Sequence, residues 1–392
     1  MAFADIISPE KAGTIYGLFY ERLRCSYDKT AYQYFCATSE TWLSISWQAL
    51  ADEISLWQTA LKQESLSAGD RVAINLRNSI EWVVFDLATS SLGLILVPLY
   101  QDDRPDNIAY ILQDADVKLL FLQNKRQWQH LQPALPEKHT LQSVIINHRD
   151  DEDVQMPAIY REHYLPKQAD SLLPPNGDGH GLATIIYTSG TTGRPKGVML
   201  SHQNMLSVAF AAHQYVPLLS DDKFLSFLPL SHTLERTAGY YLPMMAGITV
   251  AFSRGIPQLA DDMKQVQPSI MISVPRIFER IYSRLQSQLK TKSAVANFLF
   301  TTTKQIGLRR FQYQQYRANW HPSLLAWPLL YKLVAAKVHQ QFGGNIRVIV
   351  SGGAALHKSI SDVFIGLGFN VLQGYGLTET SPIISVNGLE HN

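Results

Sequence analysis

Short apolar runs rich in β-branched residues recur along the chain, and stretches with helical patterns separate them. The seven runs predicted as strands are Val72–Leu76, Val117–Leu122, Val144–Ile146, Leu182–Tyr187, Ile248–Phe252, Ile270–Val274 and Ile346–Val350. Such runs are typical of strands buried on both faces, and their alternation with helices is typical of parallel connections. The longer stretch Trp82–Tyr100 is interrupted by Asp86 and two serines, and it predicts a buried helix leading into a strand. The sequence therefore predicts an α/β fold with mostly parallel sheets.

The size of the chain also constrains its organisation. A length of 392 residues exceeds the roughly 250 to 300 that one core usually supports, so lobes at about 1–200 and 201–392 are predicted. Hydrophobic residues make up 46% and charged residues 17%, a balance typical of a folded chain. The stretches Asp150–Pro157 and Leu173–Gly181 are rich in Pro, Gly and Asp and predict surface connections.

The cellular location is predicted from what the sequence lacks. The start of the chain carries charges where a secretory signal needs an apolar run, and no stretch of about 18 uncharged apolar residues follows. Cys25 and Cys36 have neither metal-site nor redox spacing. We expect a cytoplasmic protein that does not span a membrane.

Positive charge is concentrated in one helical segment, residues 276–342. From residue 276 to residue 347 there are twelve Lys or Arg and a single acid, Glu279, although the net charge of the chain is only +1. Arg276, Arg280 and Arg284 share one helical face, and apolar residues with the same spacing line another. This pattern predicts peripheral contact with an anionic membrane through residues 276–317, or else a solvated helix face. Nucleic acid is a weaker alternative and is not expected as a partner.

A loop suited to phosphate follows the predicted strand at Leu182–Tyr187. Glycines let the backbone approach a polyphosphate, hydroxyl and N–H groups donate to its oxygens, and Lys196 supplies a cation. The spacing is not that of a Walker A loop, because no Ser or Thr follows the lysine. The candidate phosphate-binding residues are Thr188, Ser189, Gly190, Thr191, Thr192, Gly193 and Lys196.

Two further glycine-containing motifs lie near the end of the chain. Ser351–Leu356 follows a predicted strand, and its small residues leave room for a flat ring. Gly374–Thr380 contains Gly-x-Gly without the third glycine of a dinucleotide fingerprint, so a Rossmann assignment fails. The candidate nucleotide-binding residues in these motifs are Gly353, Ala354, Ala355, Gly374, Tyr375, Gly376 and Thr378.

Together these motifs resemble those of the adenylate-forming, AMP-binding superfamily, which includes acyl-CoA synthetases, luciferases and peptide-synthetase adenylation domains. The resemblance runs from about residue 40 to residue 388. It implies stacked, mostly parallel sheets flanked by helices, with ATP and Mg²⁺ bound. It also implies that Tyr375 stacks on adenine, Thr378 contacts the α-phosphate, and Glu379 holds Mg²⁺ together with Thr191. Glu379 suits that role because Mg²⁺ is typically bound by one or two carboxylates plus substrate phosphates.

The segment Phe227–Arg236 lies between these motifs and is similar to long-chain acyl-CoA synthetases in its Leu-Pro-Leu-Ser-His and Glu-Arg elements. The resemblance places His232 beside the bound carboxylate and an acyl channel. The apolar segment Gly239–Gly247 is expected either to line that channel or to pack in the core. His232, Lys196, Thr378 and Glu379 are therefore the candidate catalytic residues.

The resemblance implies activation of a long-chain fatty acid with ATP, followed by transfer to coenzyme A. The family continues with a ribose-binding aspartate, a hinge and a C-terminal lid that carries a lysine, and no such motifs follow Glu379 here. Residues 1–392 are thus expected to be an incomplete N-terminal AMP-binding domain that is nearly inactive alone. The alternatives are a fatty acyl-AMP ligase that uses a carrier protein and a non-catalytic nucleotide- or lipid-binding module.

Overall fold

A computed structural model describes residues 2–149, 158–188, 193–390 and 392. Its strands are β1 Thr30–Cys36, β2 Thr41–Ser46, β3 Arg71–Asn75, β4 Ile95–Pro98, β5 Val117–Leu122, β6 Ser143–Ile146, β7 Ala158–Tyr160, β8 Leu182–Thr188, β9 Lys196–Ser201, β10 Lys223–Ser226, β11 Thr249–Phe252, β12 Ile270–Ser273, β13 Val348–Ser351, β14 Val371–Tyr375 and β15 Ser385–Val386. All seven predicted strands are confirmed within about two residues.

The helices alternate with these strands. They are α1 Pro9–Ala12, α2 Ile15–Ser26, α3 Trp47–Leu61, α4 Ile80–Ser91, α5 Pro105–Asp114, α6 Lys125–Leu131, α7 Arg161–Tyr164, α8 His202–Tyr215, α9 Leu242–Ala246, α10 Leu259–Val266, α11 Pro275–Lys290, α12 Ala294–Gln314, α13 Trp327–Leu330, α14 Ala336–Gln341 and α15 Lys358–Gly366. Glu235–Tyr241 and Tyr331–Ala335 are π-helical, and Gln132–Ala134, Pro322–Ala326 and Thr378–Thr380 are 3₁₀ turns. The predicted helix-to-strand stretch is confirmed as α4 and β4.

The strands form two sheets. One has the order β15-β14-β13-β12-β10-β11-β1-β2 and is parallel except for its two outermost pairs. The other has the order β7-β6-β5-β3-β4-β8-β9 and is parallel except for the β8–β9 hairpin. The last strand of the second sheet, β9, ends at Ser201, and the lobe boundary near residue 200 stays a prediction. However, β1 and β2 join the sheet built from the later part of the chain, because β1 pairs with β11.

Local sequence explains where the helices that flank the site begin. Ser201 caps α8 by accepting a hydrogen bond from the backbone N–H of Asn204, whose side chain accepts one from the Ser201 N–H. This reciprocal capping box ends β9 and starts α8 within one residue. Ser79 likewise caps α4 through the N–H of Trp82. No helix in the described ranges is long and apolar enough to cross a membrane.

A buried polar cluster ties the two sheets together. Arg236 is fully buried, and it donates to Asp86 of α4 at 2.5 Å, to Thr184 of β8 at 2.7 Å and to the Tyr241 hydroxyl at 2.7 Å. The Tyr241 hydroxyl in turn donates to the second oxygen of Asp86 at 3.0 Å. Every charged atom of this ion pair therefore has a partner, as a buried charge requires. The Glu-Arg element that suggested an acyl channel thus contributes an arginine to sheet packing.

Candidate functional site

A cavity of about 550 Å³ lies between the first sheet, the β8–β9 hairpin and α8. Its inner wall is formed by one face of the sheet, where Phe224, Ile270, Ile272 and Val350 are exposed to the cavity from β10, β12 and β13. Residues two apart on a strand share a face, so these positions form a continuous apolar floor. The other apolar lining residues are Ala212, Val216, Leu218, Leu234, Ala238, Leu242, Leu377, Pro382, Ile383 and Val386.

The predicted motif residues supply the polar part of the same cavity. Those that line it are Thr188, Lys196, His232, Gly353, Gly374, Tyr375, Gly376, Thr378 and Glu379. They are more than 180 residues apart in sequence at the extremes, and the fold brings them together. Thr188 and Lys196 are direct antiparallel partners at the end of the β8–β9 hairpin where its connecting loop begins and ends. The hairpin therefore holds the lysine beside the loop that precedes it.

Some of the predicted residues do not line the cavity. Ala354 and Ala355 are exposed and do not line it, so their assignment as nucleotide-binding positions stays a prediction. Gly193 is also exposed and is not part of the wall. Ser189, Gly190, Thr191 and Thr192 lie outside the described residues, as does the predicted connection at 150–157.

Glycine is required at specific points of the cavity wall. A Cβ at Gly376 would lie 1.6 Å from the carbonyl oxygen of Pro382, so this position can hold no side chain while the loops stay this close. Gly353 has φ +78°, a left-handed conformation that glycine adopts without strain. A Cβ at Gly352 would lie 2.9 Å from a methyl group of Leu234. These glycines let three loops converge on the cavity.

The loop that carries Thr378 and Glu379 is held by side-chain hydrogen bonds. Thr380 accepts from the N–H of Leu377 at 3.0 Å, which closes the 3₁₀ turn. Buried Thr237, in the π-helical segment, donates to the carbonyl of Ser381 at 3.1 Å. Sequence reasoning missed Thr237, although its place one residue after the Glu-Arg element was a usable signal. The carboxylate of Glu379 and the ring of Tyr375 remain exposed at the cavity mouth.

His232 lies at the boundary between the polar and apolar parts. Its Nδ1 accepts a hydrogen bond from the N–H of Leu234 at 3.1 Å, so in the neutral ring the proton is on Nε2. Burial lowers the pKa of His232 below its ordinary value, which keeps the ring neutral at physiological pH. The residue can therefore donate one hydrogen bond without bringing a charge into the cavity.

Glu235 lies three residues after His232, but its side chain is buried away from the cavity. It is 1% exposed, one of its oxygens has no hydrogen-bond partner, and burial raises its pKa to about 8. An added Cβ at Gly239 would lie 2.5 Å from its Oε1, so the carboxyl packs directly on the next helical turn. Glu235 does not line the cavity. Of the predicted channel segment Gly239–Gly247, only Leu242 does, because Tyr240, Tyr241, Met244 and Met245 pack in the core.

The cavity fits a magnesium–nucleotide complex in its donor set. Within the described ranges, no three His, Cys, Asp or Glu side chains form a metal-binding group. A single exposed carboxylate, Glu379, therefore suits Mg²⁺, which is commonly held by one or two carboxylates, substrate phosphates and water. It does not suit a metal that needs a complete protein cage.

In this α/β fold, the cavity joins the loops that follow the parallel strands β13 and β14 to an apolar chamber. Residues 19–392 match the family model described as AMP-binding enzyme. The chain belongs to this family of AMP-binding, adenylate-forming enzymes, and its relatives include long-chain acyl-CoA synthetases.

Curated relatives support that membership, and a solved structure shares the fold. Peroxisomal long chain acyl-CoA synthetase 6 of Arabidopsis thaliana is 31% identical over 339 residues, covering 83% of this chain and 46% of the relative. Long-chain-fatty-acid–CoA ligase FadD15 of Mycobacterium bovis is 28% identical, covering 88% and 58%. The chain thus spans about half the length of these relatives. The crystal structure of a long-chain-fatty-acid-CoA ligase (FadD1) from Archaeoglobus fulgidus superposes with a TM-score of 0.73 at 17% identity, covering 99% of this chain and 68% of that one.

Proposed function

We propose that this chain belongs to an enzyme that activates a long-chain fatty acid with ATP and then passes the acyl group to coenzyme A. A carboxylate oxygen attacks the α-phosphorus of ATP, the bond to pyrophosphate breaks, and an acyl-adenylate forms. The coenzyme A thiol then attacks the acyl carbonyl, and AMP leaves. The observation that carries the proposal is a single cavity with a polar mouth and a continuous apolar interior.

The site residues keep the roles that the family resemblance assigns. Lys196 and Thr188 face the triphosphate at the mouth, and Tyr375 offers its exposed ring to adenine beside Gly353. Glu379 would hold Mg²⁺, which would neutralise phosphate charge when bound. His232 would orient the acid, because its Nε2–H can donate to a carboxylate oxygen. Thr191 belongs to the same proposal, although it lies outside the described residues.

The nucleotide half of the proposal is tested by calorimetric titration of Mg·ATP. Lys196→Ala and Glu379→Ala should each weaken binding by about tenfold or more, because each removes a charge-assisted contact. Glu137 and Lys138 provide matched controls, since both are exposed on a loop outside the cavity. If both site variants bound Mg·ATP as tightly as Glu137→Ala and Lys138→Ala do, the assignment would be wrong.

The fatty-acid part of the proposal is tested on α8, where two neighbouring alanine side chains point to different surroundings. Ala212 lines the cavity, whereas Ala211 is exposed. Affinity for saturated acids should rise with chain length from about four to about sixteen carbons, since each buried methylene contributes about 0.8 kcal/mol. Ala212→Phe should abolish that rise and leave ATP binding intact, and Ala211→Phe should change neither. Equal affinity for short and long acids would exclude the long-chain substrate.

The acceptor is the main alternative within the enzyme class. A chloroplastic long-chain-fatty-acid–[acyl-carrier-protein] ligase of Arabidopsis thaliana is 27% identical and covers 89% of this chain and 54% of the relative. A fatty acyl-AMP ligase would form the same adenylate and pass the acyl group to a carrier protein. Offering the adenylated protein coenzyme A and an acyl carrier protein side by side distinguishes the two.

We also propose that a polypeptide limited to residues 1–392 binds both substrates but turns over slowly. Among the described residues that line the cavity, Lys196 is the only Lys or Arg. The family resemblance assigns a second positive charge to the lysine of the C-terminal lid, which residues 1–392 do not contain. Loss of one such preorganised electrostatic contact commonly lowers turnover by about 10² to 10³. Pyrophosphate release near the rate of a full-length relative would contradict this proposal.

We place the activity in the cytoplasm, with peripheral contact to anionic membrane.

A further inference from the structure

Exposed apolar side chains are concentrated on α12 and the helical segment that follows it. Of the eighteen large hydrophobic side chains exposed in the described part of the chain, nine fall between residues 295 and 333. They are Val295, Phe298, Tyr313, Tyr316, Trp320, Leu325, Leu329, Tyr331 and Leu333. Scattered exposed hydrophobic residues need no explanation, but half of them within one tenth of a chain indicate an interaction surface.

Three of these residues form a stripe, which we call the leucine stripe. Leu325, Leu329 and Leu333 recur every four residues along the helical run 322–341, and they are 75%, 63% and 44% exposed. Their exposure places all three side chains on the solvent side of this run. The opposite face is packed, because Leu330 and Ala335 are buried. The helix therefore presents a row of leucines to solvent.

Basic side chains of α12 border the leucine stripe. Arg309 donates to the hydroxyl of Ser323 at 3.4 Å, and the guanidinium of Arg310 lies 5.4 Å from the centre of the Trp327 ring. Lys332 is exposed within the run itself. α11 adds charge only, since its apolar positions face inward and Phe278 and Leu285 are buried. The leucine stripe lies beyond residue 317, whereas Val295, Phe298 and Tyr316 add exposed apolar surface within the range that sequence analysis predicted.

We propose that the leucine stripe and its basic border bind the headgroup–acyl boundary of an anionic lipid bilayer. Leucines on one face with Lys and Arg beside them are the pattern of helices that lie in the membrane interface. Trp320 and Tyr316 at the edge are residues favoured at headgroup depth. A second copy of this chain packed on the same surface would bring Arg309, Arg310 and Lys332 against the same three basic residues of its own. A nucleic acid would bind the basic side chains but would leave the leucines exposed to solvent.

The surface is also connected to the cavity. Gln315, at the end of α12, donates to the carbonyl of Leu389 at 2.9 Å, three residues after the cavity-lining Val386. Membrane contact would therefore bring the cavity wall close to the lipid phase where long-chain acids are dissolved. Only this last point rests on the proposed function, because lipid binding is measured without ATP or turnover.

The test is co-sedimentation of the 392-residue chain with vesicles. Wild type should bind vesicles of phosphatidylserine and phosphatidylcholine, bind pure phosphatidylcholine far less, and lose binding at high salt. Leu325→Ser with Leu329→Ser should weaken binding by about a hundredfold, and Arg309→Gln with Lys332→Gln by about tenfold or more. Exposed Tyr27→Ser and Lys138→Gln are the matched controls and should bind like wild type.

Each outcome bears on the proposal. Circular dichroism and thermal unfolding should match wild type for all variants, since the changed side chains are exposed. Binding that ignores lipid charge and salt, or that survives loss of both leucines, would overturn the proposal. Lipid-free sedimentation velocity supplies a second criterion. A wild-type dimer that becomes a monomer in the leucine variant would assign the surface to a second copy of the chain instead.

Discussion

Replacing Glu235 by Gln should make the stability of the protein less dependent on pH. The carboxyl is 1% exposed, and burial raises its pKa to about 8 from an ordinary 4.5. Between these values the unfolded chain releases the proton while the folded protein keeps it. The unfolded state then binds fewer protons, so stability falls as pH rises through the window from 4.5 to about 8.

The size of the effect follows from the pKa difference. One pKa unit corresponds to about 1.4 kcal/mol, so the free energy of unfolding of wild type relative to Glu235→Gln should fall by about 3 to 4 kcal/mol between about pH 5 and about pH 8. Gln keeps the shape of the side chain, remains neutral throughout and can still hydrogen-bond. The wild-type protein should therefore be the less stable of the two at alkaline pH.

Urea unfolding of both proteins across this pH range measures the difference. Glu137→Gln, which removes one exposed carboxylate, controls for the change in net charge. If the curves of wild type and Glu235→Gln ran parallel from pH 5 to pH 8, the carboxyl would not be held neutral by burial. The reasoning about the π-helical segment would then be refuted.

Three further predictions concern contacts around the site. Asp86→Leu should lower the free energy of unfolding by about 3 to 5 kcal/mol in urea titrations, because it leaves the buried charge of Arg236 unpaired. His202 is buried, and its pKa is lowered to about 4, so the folded protein should lose about 3 kcal/mol relative to His202→Gln as pH falls from 6.5 to about 4. Thr237→Val removes the hydrogen bond to the carbonyl of Ser381, which holds the loop that bears Glu379. The substitution should therefore weaken Mg·ATP binding in calorimetry without changing fatty-acid affinity.

Much of the fold could be predicted because its strands are buried on both faces and appear as continuous apolar runs. β5 and β12 are examples, since each contains one polar residue and is otherwise Val, Ile, Leu, Met or Phe. β1 and β2 were missed because they form an antiparallel edge with mixed polar and aromatic residues. β9 was missed because it begins inside the glycine-rich loop. None of these three strands has the continuous apolar run on which the prediction depended.

The candidate site was partly predictable for a related reason. Glycine motifs that let loops approach one another closely can be recognised in a sequence. Gly353, Gly374 and Gly376 do line the cavity. Which neighbours of these glycines turn inward depends on loop geometry, and Ala354 and Ala355 are exposed outside the cavity lining. The apolar lining was not predictable, because Ala212 and Val386 come from distant elements with no pattern in common.

The π-helical segment Glu235–Tyr241 explains why packing and the site are not separable here. One of its faces, with Ala238, lines the cavity, and a second face, with Arg236, binds α4 and β8 of the other sheet. A third, with Thr237, holds the loop that bears Glu379. Adding one residue per turn to a helix changes which side chains share a face, and π-helical turns are frequent at functional sites for that reason. Because a single turn contacts both sheets and the cavity, a substitution on its buried side should also alter ligand affinity at a distance from the ligand.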